Sequence, residues 1–186
     1  MEIGQLNGFL YFHVFLIKAK ICVMKIDIRP ATIADMPAVH ALIRELAVYE
    51  NAPEQHTATI SDYEKDFLAG IFDVQLAVDS DFFAEKGADT EGSEKIVGMI
   101  FYYFAYSTWR GRMMYLEDFV VTESYRQYGV GQLLFDRFLA ISAEKECVMT
   151  KWQVLDWNTP AVKFYEKNKA TIEKEWWNGK LFLKQF

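Results

Sequence analysis

The pattern of apolar and polar residues changes its period within the first fifty positions. Residues 25–29 (KIDIR) alternate charged and apolar side chains, which is typical of a short half-buried strand. Over residues 39–47 the apolar side chains recur every three or four positions, the spacing of a helix with one buried face. Thr32 and Asp35 form a helix-start signal, and Pro37 suits a first turn. A strand followed by a helix is predicted.

The next segment predicts a short helix and a strand. Ser61 and Glu64 have the spacing of a second capping box, so we expect a helix that begins near them and buries Phe67 and Leu68. Residues 74–78 are apolar or β-branched enough to form a strand.

The centre of the chain predicts two long antiparallel strands. Residues 80–95 are polar and contain glycine, which indicates an exposed hairpin loop. Residues 96–106 and 113–121 are rich in β-branched and aromatic side chains, with a turn around 109–111 between them. These two runs are expected at the middle of a sheet.

The last third predicts two helices and further strands. A helix is expected just after Gly129, with an apolar face made of Leu133, Leu134, Phe138, Leu139 and Ile141. A strand at 152–155 and a short helix at 161–167, with Pro160 in its first turn, should follow. The chain then predicts a closing hairpin, in which strand residues to Trp177 turn at Asn178 and Gly179 and return over 180–186.

These elements predict one domain of α/β (mixed α+β) class built around a single sheet. Residues 1–24 are expected to be an extension outside that fold, leaving 25–186 as the domain. The extension contains an apolar stretch at 8–17, which is too short to span a bilayer. Glu2 precedes this stretch and Lys18 follows it, opposite to the charge order of a secretory signal. A membrane-surface anchor is the alternative interpretation of this segment.

Charge and composition narrow the functional classes. The 186 residues carry a net charge of −6 without a basic block, which argues against nucleic acid as a partner and makes cationic partners more plausible. Cys22 and Cys147 cannot form a disulfide framework, which favours a reducing, cytoplasmic location. The three histidines are far apart in sequence, so no metal is expected. Aromatic residues make up 16% of the chain, which indicates a densely filled core, a ring-lined pocket, or both.

A glycine-containing loop, residues 126–131 (RQYGVG), lies between a predicted strand and a predicted helix. Backbone N–H groups at a helix start bind anions such as pyrophosphate, and an arginine can add a charged contact. The loop lacks the Gly-Lys-Ser/Thr ending of a Walker sequence and the GxGxxG dinucleotide fingerprint. By itself, a strand-to-helix turn explains the two glycines equally well.

Six separated segments of the chain form a set, namely RPATIAD (29–35), ELAVYE (45–50), YYFAYSTW (102–109), YLEDFVV (115–121), RQYGVG (126–131) and WNTPAVKFYEKN (157–168). In content and order they resemble the motifs of the GNAT family of N-acetyltransferases, and within it those of the diamine (spermidine/spermine) branch. The resemblance implies a GNAT fold, with a central, mostly antiparallel, twisted sheet of six to seven strands and about four helices. It also implies acetyl-CoA as co-substrate, no metal and a homodimer.

The resemblance assigns cofactor contacts residue by residue. Backbone groups at the end of the second long strand would bind acetyl-CoA, namely those of Phe119, Val120 and Val121. The loop would hold the pyrophosphate through Arg126, Gln127, Tyr128, Gly129, Val130 and Gly131. Asn158 matches the asparagine that meets the cofactor arm, with Pro160 and Ala161 nearby, and Tyr165 matches the tyrosine beside the thioester sulfur.

The same resemblance nominates Glu117 and Tyr165 as catalytic residues. A primary amine has a pKa of about 10.4 and a glutamate of about 4.3, so direct proton abstraction would cost roughly 8 kcal/mol. We therefore expect Glu117 to act through ordered water and to anchor the cation. Tyr165, with an ordinary pKa of about 10, is expected to donate a proton to a thiolate whose thiol has a pKa of about 8.5.

The branch's substrate side corresponds here to Tyr49, Glu50, Trp109, Glu117 and Asp118. Carboxylates and aromatic rings suit a flexible ammonium-bearing acceptor. Lys169 stands where the branch has glycine, and residues 173–182 (EKEWWNGKLF) differ from its acidic stretch. A polyamine, a shorter diamine and a thialysine-like amine therefore all remain open, as do acetylation of a protein amino group and a non-catalytic acyl-CoA sensor.

Overall fold

The computed structural model describes residues 25–80 and 94–183. The predicted extension at 1–24, most of the predicted loop at 80–95 and the end of the closing hairpin lie outside the described residues. The chain divides into two compact units, one ending at Lys151 and the other beginning at Trp152. None of the described helices is long and apolar enough to cross a bilayer.

The first unit contains one sheet with strand order β1-β2-β3-β4-β5. The strands are β1 Ile26–Pro30, β2 Asp73–Asp79, β3 Lys95–Ser107, β4 Gly111–Val121 and β5 Met149–Lys151. The first four pair antiparallel, and β5 runs parallel to β4. The mixed α/β class and the mostly antiparallel sheet are confirmed, but the described residues form five strands and not six or seven.

Four α-helices lie among the described residues, as expected. They are α1 Met36–Tyr49, α2 Ile60–Leu68, α3 Val130–Glu144 and α4 Thr159–Lys167. The predicted start signal before α1 is confirmed, because the Asp35 carboxylate accepts hydrogen bonds from the backbone N–H and the hydroxyl of Thr32 at 2.7 and 2.8 Å. Arg29 donates two further bonds to Asp35 at 2.9 Å and, with Thr32, holds the pKa of that carboxyl at about 2.

The predicted start of α2 was wrong by two residues. Thr59 and Asp62 form the capping box, with Asp62 accepting from the Thr59 N–H and hydroxyl at 2.8 and 2.6 Å. Ser61 therefore lies inside the first turn. Leu68 is 74% exposed, while Phe67 packs against the core. Neighbouring residues of a helix point about 100° apart, so a narrow buried face cannot include both.

Helices cover both faces of the sheet in the first unit. Helices α1 and α2 pack on one face, over a core of Met36, Val39, Leu42, Phe72, Val74, Leu76, Val78, Met99, Phe101 and Val120. On the other face, the α3 residues Phe135 and Phe138 meet the rings of Phe119 and Tyr102. The buried face of α3 is formed by Val130, Leu134, Phe135, Phe138, Ile141 and Ser142.

The prediction that Leu133 and Leu139 belong to the buried face of α3 is wrong. Leu133 is 46% exposed and Leu139 is 39% exposed. The helix begins at Val130, and positions 130, 134, 138 and 141 recur every three or four residues on one side. Leu133 and Leu139 fall beside that stripe, and the sequence run LLF gave no means of choosing between adjacent apolar positions.

The second unit is built around α4. The strand predicted at 152–155 is wrong, since β5 ends at Lys151, and the described residues 170–183 contain no strand. An isolated two-stranded hairpin is marginal in water, so a good turn dipeptide does not by itself create strand pairing. The apolar side chains of this segment are highly exposed, namely Trp176, Trp177, Leu181, Phe182 and Leu183.

Candidate active site

A β-bulge places two consecutive carboxylates on one face of the sheet. In the ladder between β3 and β4, Phe101 pairs with Asp118 and Tyr102 pairs with Leu116, so Glu117 is the extra residue on β4. Consecutive side chains of a regular strand point to opposite faces. The bulge breaks this alternation, and bulges of this kind re-aim side chains next to functional sites.

The contacts of Tyr103 confirm where Glu117 points. Tyr103 is two residues from Phe101 and so lies on the same face, the face covered by α1 and α2. Its hydroxyl donates a hydrogen bond to Oε2 of Glu117 at 3.2 Å, and its ring stacks on Tyr115 at 5.2 Å. Burial, with a contribution from the charge of Glu117, raises the pKa of Tyr103 to about 12, so this hydroxyl remains a donor.

Asp118 shares this face with two other carboxylates. Burial first, and then the negative charges of Glu117 and Glu50, raise the pKa of Asp118 to about 7. Glu50 reaches the cluster from the residue that follows α1. A cation entering among three such groups would relieve their mutual repulsion and favour the ionised form of Asp118.

Of the two predicted acceptor-side aromatic residues, Trp109 lies away from the carboxylates. Trp109 is in the β3–β4 turn and is 84% exposed. Glu117 is six residues along the strand from Gly111, which corresponds to about 20 Å. The ring of Tyr49 lies under the Arg126 guanidinium, 5.1 Å from its central carbon. The structure therefore brings Glu50, Glu117 and Asp118 together but does not bring Trp109 to them.

The loop after β4 adopts the backbone shape that the anion-binding prediction needs. Gln127 and Gly129 have φ values of +66° and +86°, and α3 starts directly after Gly129. Gly129 has open space where a side chain would begin. Nε of Arg126 donates to the Val121 carbonyl at 2.8 Å, which fixes the side chain beside the loop. The start of a 15-residue helix thus presents the N–H groups of its first turn at the end of this loop, and the side chain of Arg126, the first loop residue, is held at the carbonyl of Val121.

The end of β4 pairs with β3 along one of its edges. Gly98 of β3 approaches so closely that a Cβ there would lie 2.8 Å from the carbonyl oxygen of Val120. On the other side, β5 pairs only with Met113–Tyr115, so among the described strands none pairs with Phe119–Val121 on that edge. Gly131 brings α3 against this segment, since a Cβ there would lie 3.5 Å from the Phe119 ring.

The remaining predicted site residues lie in the second unit. Oδ1 of Asn158 accepts a hydrogen bond from the Ala161 N–H at 3.3 Å and so caps α4, with Pro160 in the first turn. Tyr165 is only 5% exposed, and its ring lies 4.6 Å from the ring of Trp152. Burial raises the pKa of Tyr165, so its hydroxyl holds its proton more tightly than the sequence-based prediction assumed.

Sequence reasoning missed the residues that surround the carboxylates. Tyr63 on α2 has its hydroxyl 3.3 Å from Nε2 of His56, whose ring lies 4.5 Å from that of His40. Tyr103 binds Glu117, as described above. The only available signal was Tyr63 at one helical turn before Phe67, on the face that packs inward. Nothing in the sequence pairs His40 with His56, sixteen positions away.

Comparisons with known proteins agree with this architecture. The model of the acetyltransferase (GNAT) family matches residues 40–169. The chain is 33% identical over 145 residues to the human spermidine/spermine N(1)-acetyltransferase-like protein 1, which covers 77% of this chain but only 20% of that longer protein. It is 34% identical over 155 residues to the thialysine N-epsilon-acetyltransferase of Sus scrofa, covering 82% and 89% of the two chains.

The solved structures support the fold independently of sequence. An aminoglycoside acetyltransferase from an uncultured soil metagenomic sample, crystallised with sisomicin, matches with a TM-score of 0.67 over 86% of this chain and 97% of its own. At 19% identity this likeness concerns the fold alone. Because the family model covers well over half of the chain, this protein belongs to the GNAT family of acetyltransferases.

Proposed function

We propose that this protein transfers the acetyl group of acetyl-CoA to a primary amine of a small cationic acceptor, such as a polyamine, a diamine or a thialysine-like amine. The observation that carries the proposal is the group of three carboxylates in which the bulge in β4 places Glu117 and Asp118 and the end of α1 supplies Glu50. Of the two relatives named above, one is by its name similar to a spermidine/spermine N(1)-acetyltransferase, and the other is by its name an acetyltransferase of thialysine.

The residues present fit acetyl-CoA. The positive φ values at Gln127 and Gly129 and the start of α3 present N–H groups to a pyrophosphate, and Arg126 adds a positive charge. The edge of β4 over Phe119–Val121 offers backbone groups to an extended pantetheine arm. When bound, acetyl-CoA supplies an activated thioester acyl group.

Removal of the acceptor's proton is easier at Asp118 than we expected for Glu117. A carboxyl group whose pKa is about 7 lies about three pKa units below a primary amine, and direct transfer then costs on the order of 5 kcal/mol. Glu117, fixed by the Tyr103 hydroxyl, is suited to hold the ammonium before transfer. We assign the anchor to Glu117 and the proton acceptor to Asp118, with water as the bridge where the distance requires it.

Tyr165 is proposed to serve the departing sulfur. Because burial raises its pKa further above that of a thiol, complete proton transfer to a thiolate is unfavourable. A hydrogen bond from the Tyr165 hydroxyl to the sulfur stabilises the developing negative charge without complete transfer. Asn158, Pro160 and Ala161 at the start of α4 are retained as candidates for contacts with the cofactor arm.

The test is release of CoA with a panel of acceptors comprising spermidine, putrescine, thialysine, lysine and a lysine-containing peptide. We expect turnover with small cationic amines and little with the peptide. Glu117→Gln should raise KM for the amine more than it lowers kcat, since it removes the anchoring charge. Turnover with the peptide alone would identify a protein acetyltransferase. Tight acetyl-CoA binding without turnover of any acceptor would identify a sensor.

We also propose that the protein works as a homodimer in the cytoplasm. The large apolar side chains near the C-terminus, Trp176, Trp177, Leu181, Phe182 and Leu183, are 70–95% exposed in the single chain. Exposed apolar groups in such number are typical of association surfaces. The thiol of Cys147 is unpaired in the described chain, which suits a reducing compartment.

A further inference from the structure

A buried carboxylate at the end of β2 fastens the turn that leads into the loop at 126–131. Asp79, the last residue of β2, is 5% exposed, and its Oδ2 accepts a hydrogen bond from the Tyr125 hydroxyl at 2.9 Å. Tyr125 is equally buried and directly precedes Arg126 in the chain. The sequence did not predict this pair, because its members are 46 positions apart.

Both the hydroxyl and the ring of Tyr125 are held. Burial, together with the bond to Asp79 and its charge, raises the pKa of Tyr125 to about 12, so the hydroxyl keeps its proton and remains a donor. A hydrogen bond donated to an ionised carboxylate is stronger than one between neutral groups. Lys95, the ladder partner of Asp79, places its Nζ atom 5.3 Å from the centroid of the Tyr125 ring.

Backbone hydrogen bonds hold the rest of the turn. The Thr122 N–H donates to the Val97 carbonyl of β3 at 2.9 Å, and the Tyr125 N–H donates to the Thr122 carbonyl at 2.8 Å. The Arg126 N–H donates to the Glu123 carbonyl at 3.1 Å. These bonds fix the start and the shape of the turn relative to β3, and the Tyr125 hydroxyl fixes its far end relative to β2.

The position of Tyr125 determines where the loop begins. Only residues 126–129 lie between this anchor and the first residue of α3, so a displacement of Tyr125 passes directly into the loop backbone. A ligand that is held by several donors at once is sensitive to their relative placement. A buried hydrogen bond adds little net stability over an apolar pair of the same shape, but a satisfied polar pair specifies one arrangement.

We propose that Asp79 is a positioning residue for cofactor binding, which holds the Tyr125 hydroxyl and thereby keeps the loop at 126–131 in the conformation that receives the pyrophosphate of acetyl-CoA. The proposal rests on the function proposed above, in which this loop binds the cofactor. Asp79 acts through Tyr125 and is assigned no contact with the cofactor itself.

Binding of CoA, measured by isothermal titration calorimetry, tests the proposal without any turnover. Tyr125→Phe removes only the hydroxyl and should raise the Kd about tenfold, since misplaced donors lose several contacts with the pyrophosphate together. Asp79→Leu removes the acceptor and should raise the Kd to the same extent. Asp79→Asn keeps an accepting oxygen and should leave the Kd within about threefold of the parent. The double variant Asp79→Leu with Tyr125→Phe should bind no more weakly than either single variant.

Tyr102→Phe is the matched control for the loss of a buried tyrosine hydroxyl. Tyr102 is 4% exposed, and its hydroxyl accepts a hydrogen bond from the Gln75 side chain in the middle of the sheet. This variant should lose stability while its Kd for CoA stays within about twofold of the parent. Parent-like binding of CoA by Tyr125→Phe, or an equal loss of affinity in Tyr102→Phe, overturns the proposal.

Hydrogen–deuterium exchange of the unliganded protein gives a readout that depends on no ligand. Exchange over residues 123–131 should rise at least about tenfold in Tyr125→Phe and in Asp79→Leu, while exchange over residues 97–105 stays as in the parent. A general structural role would raise exchange in both segments together and would overturn the proposal.

The two measurements keep this proposal and the proposed function distinguishable. A parent protein that binds no CoA overturns the proposed function, and a rise in exchange confined to residues 123–131 then leaves the anchoring role of Asp79 intact. CoA binding and acetyl transfer that do not respond to Asp79→Leu or Tyr125→Phe do the reverse.

Discussion

The carboxyl group of Asp118 holds its proton to about pH 7 because it is buried beside Glu117 and Glu50. The folded protein therefore favours the protonated form of Asp118. The stability that this group allows is fully present below the ordinary aspartate pKa of about 3.9. This stability is lost as the pH rises through the folded pKa of about 7, because the group must then ionise among like charges. Asp35 has the opposite behaviour, since Arg29 lowers its pKa to about 2 and the stability it gives is lost in acid.

Asp118→Asn is therefore expected to stabilise the protein at pH 8 and to stabilise it less at pH 5, by roughly 1.5 kcal/mol, because the unfolded carboxyl group is already mostly ionised at that pH. The asparagine cannot ionise, and a displacement of about three pKa units corresponds to at most about 4 kcal/mol at pH 8. Urea unfolding at the two pH values measures this. Asp156→Asn, at an exposed position of the second unit, is the control. Equal destabilisation at both pH values would show that the carboxyl group is held by hydrogen bonds that asparagine loses.

Tyr165→Phe is expected to lower kcat at least tenfold while leaving KM for acetyl-CoA within about twofold. The change removes only the hydroxyl, and the buried ring still packs on Trp152. Steady-state kinetics with the best acceptor of the panel measures both constants. Tyr106→Phe, at a side chain that is 71% exposed, is the matched control. Turnover within twofold of the parent would remove Tyr165 from the catalytic step.

At the scale of elements, caps and bulges decide where the functional side chains point. The capping box fixes where α2 begins, and Tyr63 and Phe67, one helical turn apart, both pack on its inward face. The bulge at Glu117 shifts the alternation of side chains along β4, and Asp118 lies on the same face of the sheet as Phe101. The bulge is a displacement of only one residue, yet a shift of one residue along a strand exchanges an inward side chain for an outward one.

The capping box of α2 gives a paired prediction. Thr59→Ala should lower the free energy of unfolding by about 1 kcal/mol, because the threonine hydroxyl satisfies the Asp62 N–H and its own proton binds the Asp62 carboxylate. Ser61→Ala should change it by no more than about 0.5 kcal/mol, since this exposed residue lies inside the helix. Urea unfolding of both variants compares them. If Ser61→Ala lowered the free energy of unfolding more than Thr59→Ala, the cap would be Ser61, as the sequence predicted.

At the scale of the whole molecule, acidity and exposed apolar surface have separate roles. The net charge of −6 favours approach of a cationic acceptor and keeps the protein soluble. In the proposed function, the carboxylates Glu50, Glu117 and Asp118 give that charge a local role, and the exposed aromatic side chains near the C-terminus are the proposed contact with a second copy.

We expect the protein to sediment as a dimer at micromolar concentration. Replacing both Trp176 and Trp177 with serine should weaken the dimer at least tenfold, since these side chains are 70% and 95% exposed in the single chain. Sedimentation velocity over a dilution series measures the change. Leu68→Ser, at a side chain 74% exposed on α2, is the control. A monomer at every concentration would contradict the proposal.

The sequence by itself determined the local elements. Periodicity placed β1 to β4 and all four helices within a few residues, because helix and strand periods and the capping signal before α1 are properties of neighbouring residues. The ordered GNAT motifs identified the family. Local patterns did not distinguish Leu133 from Phe135 on α3, nor Ser61 from Thr59 at the start of α2, because either choice satisfies the period.

Only the tertiary structure decided how the candidate site is assembled. The bulge at Glu117 is a shift in the register between β3 and β4, so it cannot be deduced from the sequence of either strand alone. The raised pKa of Asp118 depends on burial and on Glu50, nearly seventy residues away, and the contact between the Tyr63 hydroxyl and the His56 ring depends on how α2 packs. Charge, burial and register are set by residues distant in sequence, and these determined which carboxyl group can take a proton.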